Sequence, residues 1–210
     1  QAVSLSPAMM VFLVCMTGLA GFVDSAAGGG GLISLPAYLF AGLPAHYTYG
    51  TNKFSAACGT TLSTAQFFKN GAMDLRVGLL AAAGSFAGSA AGVQLVLVLP
   101  DAVLRAMMLV ILPAAAGVIL WRRDLPDENR DDGVLTRKKA LTALAIGLGI
   151  GCYDGLFGPG TGTFLMLLLT AVAHVSLNEA AGITKVINLS TNVAALAVFL
   201  THGVVWMPLA

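Results

Sequence analysis

The stretch Gly21–Lys53 reads GFVDSAAGGGGLISLPAYLFAGLPAHYTYGTNK. An Asp, four consecutive glycines, a short apolar segment, a Pro-marked turn and then Gly-Thr-Asn-Lys interrupt sequence that is otherwise apolar. A second passage, Gly151–Lys185, repeats the plan as GCYDGLFGPGTGTFLMLLLTAVAHVSLNEAAGITK. Asp24 matches Asp154 and Gly28 matches Gly158 at a shift of 130, while Gly50 matches Gly182 and Lys53 matches Lys185 at a shift of 132. One two-residue insertion reconciles the registers, so the chain carries an internal duplication.

Composition sets the environment. With 57% hydrophobic and 10% charged residues and a mean hydropathy of +0.85, the chain lies far from soluble domains, in which about a quarter of residues are charged. It reads as an integral membrane protein whose partners are the lipid bilayer and a small solute. A net charge of +1 supplies no basic surface for nucleic acid. Cys15, Cys58 and Cys152 lie inside apolar runs without CxxC spacing and read as small buried thiols. The opening run from Ala8 to Val23 lacks the basic n-region of a secretory signal and counts as structure; because Gln1 is not an initiator Met, a few residues are expected to precede it.

Apolar runs cover about 8–23, 30–43, 47–68, 75–99, 102–121, 139–157, 160–174 and 180–203. A helix needs ~20 apolar residues to cross ~30 Å of hydrocarbon, so five of these runs are long enough. The runs 8–23, 30–43 and 160–174 are short, and each adjoins a Gly-rich break. The runs lack the dyad alternation of a membrane barrel. The expected fold is an all-α membrane bundle of seven to eight transmembrane or half-membrane helices.

The long polar stretch Arg122–Lys139 carries six of the eleven Lys and Arg residues, which places it on the cytoplasmic side. Alternating crossings then put His46, Pro100 and Asp101 outside, Lys69 to Arg76 inside, Gly158 outside and Glu179 inside. Whether the short segments cross or dip in as re-entrant hairpins, the chain returns to the side that it left. The first repeat (1–121) therefore starts outside and the second (140–210) inside, with 122–139 the loop between them. This is the inverted-repeat plan of many secondary transporters. The first repeat continues after Asp74 through two further helices. The second stops at Ala210, soon after Trp206, the equivalent of Asp74, so one or two more helices are expected beyond it.

Chemistry concentrates in the two copies. Gly28, Gly29, Gly30 and Gly31 precede a helix, and bare backbone N–H groups at a helix N-terminus form an anion site without side chains. The echo, Gly158, Pro159, Gly160, Thr161 and Gly162, adds a proline suited to a first helical turn and a hydroxyl donor. Close packing of membrane helices on small residues is the alternative reading. Lys53 and Lys185 sit inside apolar runs, where a charge costs ~2.5–3.5 kcal/mol on the insertion scale. They read as substrate or counter-ion contacts, or as snorkelling side chains, with Thr51, Asn52 and Thr184 beside them as donors. Asp24 and Asp154 pair with lysine, carry a proton, or cap the glycine break. Lys185, Asn188 and Asn192 share one helix face, as a polar path or as interhelical glue. His46, His174 and His202 are scattered without metal spacing. No Ser-His-Asp set, GxSxG or HExxH motif supports an intramembrane enzyme, and no cofactor motif is present.

The pattern GFVD...GGGG...P followed by GTNK, with the degenerate copy GCYD...GPGTG...GITKVIN, resembles the TauE/SafE sulfite exporter family of the toluene sulfonate uptake permease superfamily. The resemblance runs through essentially the whole chain. It implies a bacterial inner-membrane permease, of seven or eight helices, for small sulfur oxyanions such as sulfite, thiosulfate or organosulfonates. The binding elements that it implies are Gly28, Gly29, Gly30 and Gly31 with Thr51, Asn52 and Lys53, and then Gly158, Gly160 and Gly162 with Thr184, Lys185 and Asn188. Here Thr161 interrupts the second glycine run. The expected mechanism is alternating access around the two breaks, with Asp24 or Asp154 as the acid that would couple transport to protons. A passive anion channel on the same repeat, or a membrane scaffold subunit, are the alternatives.

Overall fold

The computed structural model describes residues 5–27, 29–69, 75–121 and 136–209. They form α1 (Pro7–Ala27), α2 (Gly31–Phe40), α3 (Ala45–Lys69), α4 (Leu75–Val98), α5 (Asp101–Trp121), α6 (Arg137–Leu156), α7 (Thr161–Ala171) and α8 (Leu177–Thr201). Among the described residues there is no strand, as expected where each segment must satisfy its own backbone polar groups in hydrocarbon. Gly28, Asp74 and residues 122–135 of the polar loop lie outside the described residues.

Element lengths recur in two series. Helices of 21, 10 and 25 residues in α1–α3 are matched by 20, 11 and 25 residues in α6–α8. Lys53 and Lys185 both fall two turns into the long third helix of their series. The segment 8–23, short by sequence, is part of a longer helix that reaches Ala27 and carries Asp24 near its end. Among the described helices, α2 and α7 alone are of half-membrane length, ~15 Å each.

Helices α1, α4, α5 and α8 are long and apolar enough to cross a membrane. The sequence reading counts 47–68 and 139–157 as spans too, but α3 and α6 do not reach that threshold. The cause is their polar content. Helix α3 buries Thr48, Thr51, Lys53, Thr60 and Thr64, and α6 opens on Arg137, Lys138 and Lys139. The polar side chains of α3 face protein, where partners lower the cost of placing them at membrane depth.

Helices α4 and α6 meet backbone to backbone. Gly84, Gly88 and Gly92 on α4 face Leu144, Leu148 and Cys152 on α6, while Gly147, Gly151 and Gly155 face Ala81, Ser85 and Ser89. A Cβ on Gly88 would overlap the Leu148 carbonyl oxygen, so glycine at four-residue spacing is what permits this approach. The paired numbers rise together, so the two helices are parallel. Helix α8 runs the same way, since Gly78 meets Ile183 and the Ser89 hydroxyl donates to the Thr191 carbonyl at 2.9 Å.

Helices α3 and α8 are antiparallel. Gly50 abuts Val204, and the Thr64 hydroxyl donates to the Lys185 carbonyl at 3.0 Å. The two three-helix series therefore run in opposite directions where they meet. Because α4, α6 and α8 start at one end of the bundle and α3 finishes there, Lys69, Arg76 and Arg137 to Lys139 gather at that end. At the other end Asp101 accepts from the Ala45 N–H at 2.6 Å and from Arg105 Nε at 2.8 Å, tying the α2–α3 turn to the start of α5. His46 lies there too, 3.5 Å from Asp101. Outward-facing Val11, Val14 and Phe22 on α1 and Leu109, Val110 and Leu120 on α5 are exposed, the surface that a helix turns towards lipid.

Candidate functional site

The two lysines enter from opposite ends of the α3–α8 pair, and each ends on the broken helix of the other series. Lys53 Nζ donates to Asp154 Oδ2 at 2.6 Å and to Asn192 Oδ1 at 3.0 Å. Lys185 Nζ donates to the backbone carbonyl of Asp24 at 2.8 Å. Lys53 is 3% exposed, Asp154 5% and Lys185 6%, so these contacts form away from solvent. A buried charge keeps its place only when paired and hydrogen-bonded, and the crossed arrangement does this with one group from each series.

The carboxylates differ in what they hold. Asp154 Oδ1 lies 2.8 Å from the Thr161 hydroxyl, which opens α7 and is also 2.7 Å from the Gly158 carbonyl. Asp24 Oδ1 accepts from the Gly30 N–H at 3.2 Å. That N–H, bare in the sequence reading, is thus occupied by a carboxylate, and Asp24 caps the break. The glycines also differ. Gly158 (φ 86°) and Gly160 (φ 81°) are left-handed, which L side chains adopt at a cost. Gly30 is right-handed and is needed for space, since a Cβ there would overlap the Ala20 carbonyl oxygen.

The breaks meet. A Cβ on Gly31 would lie 3.6 Å from the Pro159 ring. Between them is a cavity of about 30 Å³ lined by Asp24, Gly31, Asn52, Lys53, Ala56, Asp154, Gly158, Thr161, Asn188 and Asn192. Asn188 is 4% exposed, and its Oδ1 has no hydrogen-bond partner. A second cavity of about 70 Å³ shares Asp24, Gly31, Asn52 and Ala56 with the first and continues between α1 and α3 past Thr17, Ser25, Ser34, Ser55 and Ser63. Small residues and hydroxyls line it, so its walls offer hydrogen bonds but no charge besides Asp24.

The sequence-family model described as "Sulfite exporter TauE/SafE" matches residues 13–210. This chain belongs to the TauE/SafE family. Among its relatives are the "Probable membrane transporter protein ORF9" of a Sinorhizobium species, 37% identical over 94% of this chain and 74% of that protein. A "Probable membrane transporter protein" of Haemophilus influenzae is 34% identical over 94% of this chain and 77% of its own length. The "Probable membrane transporter protein YfcA" of Escherichia coli K12 is 33% identical over 96% of this chain and 74% of that protein. No solved structure matches the chain. The family and the four apolar crossing helices make the chain a multi-pass membrane protein of a transporter family.

Within this TauE/SafE chain the fold brings together Asp24, Gly31, Asn52, Lys53, Asp154, Gly158, Thr161 and Asn188 around the central cavity, with Gly30 on the adjoining one. Other residues singled out in the sequence stand apart from it. The Thr51 hydroxyl accepts from the Trp206 N–H at 3.0 Å, and Thr184 is buried with an unpartnered hydroxyl outside the lining of either cavity. Gly160 packs on Ala115 and Phe164; Gly29 is buried in the first break and Gly162 in the first turn of α7. Two polar groups gain weight from the structure. Asn192, seven residues after Lys185, holds Lys53. Ser34 donates to Asn52 Oδ1 at 2.5 Å, and because its counterpart in the second copy is Phe164, the duplication gave no signal for it.

Proposed function

We propose that this chain is a secondary transporter that moves a small sulfur oxyanion, such as sulfite, thiosulfate or an organosulfonate, by alternating access. The observation that carries the reading is the crossed attachment of Lys53 and Lys185, each from one of two oppositely directed series and each seated on the other's break. Rocking one series against the other would remake both contacts, as inverted-repeat carriers require. The anion would take the Lys53 N–H donors and the polar groups of the cavity, Asn52 and Asn188 among them, while Lys185, which lines neither cavity, would reach it from its seat on Asp24. Lys185 spends one of an ammonium's three donors on Asp24. The family's description supports sulfur as the central atom, and the geometry supports an anion.

On this reading residues 1–121 and 140–210 are the two repeats, the membrane is the bacterial inner membrane, and Arg122–Lys139 faces the cytoplasm, where basic residues concentrate. The test is flux of sulfite, thiosulfate, sulfoacetate and sulfate into liposomes holding the purified protein. Saturable uptake that is accelerated by anion on the far side supports a carrier. Single-channel currents, or no flux of any of the four, would contradict it.

A further inference from the structure

We infer that the anion enters together with a proton, and that the proton resides on Asp154 and not on Asp24. The inference rests on the anion-carrier reading above and concerns what must happen to the Lys53–Asp154 pair when an anion arrives. Asp154 Oδ2 stands 2.6 Å from Lys53 Nζ, with both side chains buried. Lys53 spends two of its three donors on Asp154 and Asn192, and an anion that takes the ammonium over as its counter-charge displaces this oxygen. A buried carboxylate stripped of its cation is strongly disfavoured, and protonation removes the penalty. The step balances as Lys53–NH₃⁺···⁻OOC–Asp154 plus A⁻ plus H⁺ giving Lys53–NH₃⁺···A⁻ plus HOOC–Asp154. For a monoanion the pair and its cargo are neutral before and after, so the loaded and empty carriers expose the same net charge to the membrane interior.

Asp24 is built differently. Its carboxylate holds the Gly30 N–H, and Lys185 is bound to its backbone carbonyl. An anion that takes Lys185 breaks no ion pair at Asp24: the Lys185 charge acts on that carboxylate through space, but the carboxylate keeps its Gly30 N–H, so this capture strands no carboxylate as capture of Lys53 does. A second observation points the same way. Asn188 Oδ1, buried without a donor, lines the cavity that Asp154 lines, and it provides an acceptor for a site that gains a proton.

The other groups near Asp154 are few. Helix α3 brings Lys53 and, towards Tyr153, the Tyr49 ring; α8 brings Asn188 and Asn192; α1 brings Asp24, on which Lys185 of α8 also acts; and α6 itself carries Tyr153. The residues that α2 and α7 place at the cavity, Gly31 and Thr161, do not titrate, and α4 lines no part of it.

The test is calorimetric binding of thiosulfate, sulfate and methanesulfonate to the purified chain in a membrane mimetic, in buffers of differing ionisation enthalpy from about pH 6 to 8. None of these anions titrates there, so any proton taken up is the protein's. The expected uptake approaches about one proton per anion, with affinity rising as pH falls by up to about tenfold per unit. In Asp154→Asn the uptake disappears and binding becomes independent of pH; in Asp24→Asn affinity shifts but the proton count stays. Binding without proton uptake in the unaltered chain, or uptake that survives Asp154→Asn and is lost in Asp24→Asn, overturns the inference while leaving the carrier reading in place. Failure of all three anions to bind overturns the inference, and together with absent sulfite flux it overturns the carrier reading as well.

Discussion

Lys53 of α3 and Asp154 of α6 form a buried ion pair at 2.6 Å across the two copies of the duplicated motif. Removing one partner of such a pair leaves an uncompensated charge. Lys53→Ala is expected to cost about 3–5 kcal/mol of stability. The Lys53→Ala/Asp154→Asn double variant should be less destabilised than the two single effects summed. Unfolding of the four proteins in mixed micelles measures the coupling, and additivity within about 0.5 kcal/mol would show that the pair is not energetically joined.

The glycine seam between α4 and α6 makes a prediction independent of function. Gly88→Ala and Gly151→Ala place a Cβ on the facing backbone and should each lose about 1–3 kcal/mol as overpacking variants. Gly149→Ala and Gly117→Ala meet nothing within reach and should be neutral or slightly stabilising. Thermal unfolding in detergent separates the two groups, and equal behaviour of all four would contradict the seam.

Much of this arrangement was legible in the sequence, and the misses have physical reasons. The duplication, the two short helices and the meeting of the breaks follow from matched Gly, Asp and Lys residues. That Lys69, Arg76 and Arg137 to Lys139 share one end of the bundle follows from counting crossings between apolar runs. The partner of each lysine was not legible, because the exchange is between copies and sequence periodicity reports only neighbours along one helix. The divided roles of Asp24 and Asp154 were hidden for a related reason. The two acids occupy equivalent places, but Thr161 stands in the second break where the first has glycine, and Asp154 faces a lysine where Asp24 meets a backbone N–H. The inward face of α3 was not legible, because its buried threonines and Lys53 become visible as one surface only once α8 is packed against it.

The left-handed glycines of the second break should be sensitive to a single methyl. Gly158→Ala and Gly160→Ala are each expected to cost roughly 1–2 kcal/mol from backbone strain. Gly158→Ala should also slow sulfite flux more than its stability loss explains, because that residue lines the cavity and Gly160 does not. Equal transport by the two variants at matched amounts of folded protein would argue against a role for the second break in the site.

Orientation can be read directly in cells. In a background lacking Cys15, Cys58 and Cys152, Asp132→Cys should be labelled by a membrane-impermeant thiol reagent only after permeabilisation, and Gly203→Cys in intact cells. The reverse pattern would invert the proposed topology while leaving the fold unchanged.

The central claim is that Lys53 and Lys185 together hold the transported anion. Its most direct test is the initial rate of sulfite uptake into proteoliposomes for the unaltered chain, Lys185→Ala, and Lys53→Ala/Asp154→Asn, which removes the first lysine without stranding a carboxylate. The account predicts at least about a tenfold loss in each variant, the equivalent of ~1.4 kcal/mol or more of lost interaction. Uptake at the unaltered rate by both variants would contradict it.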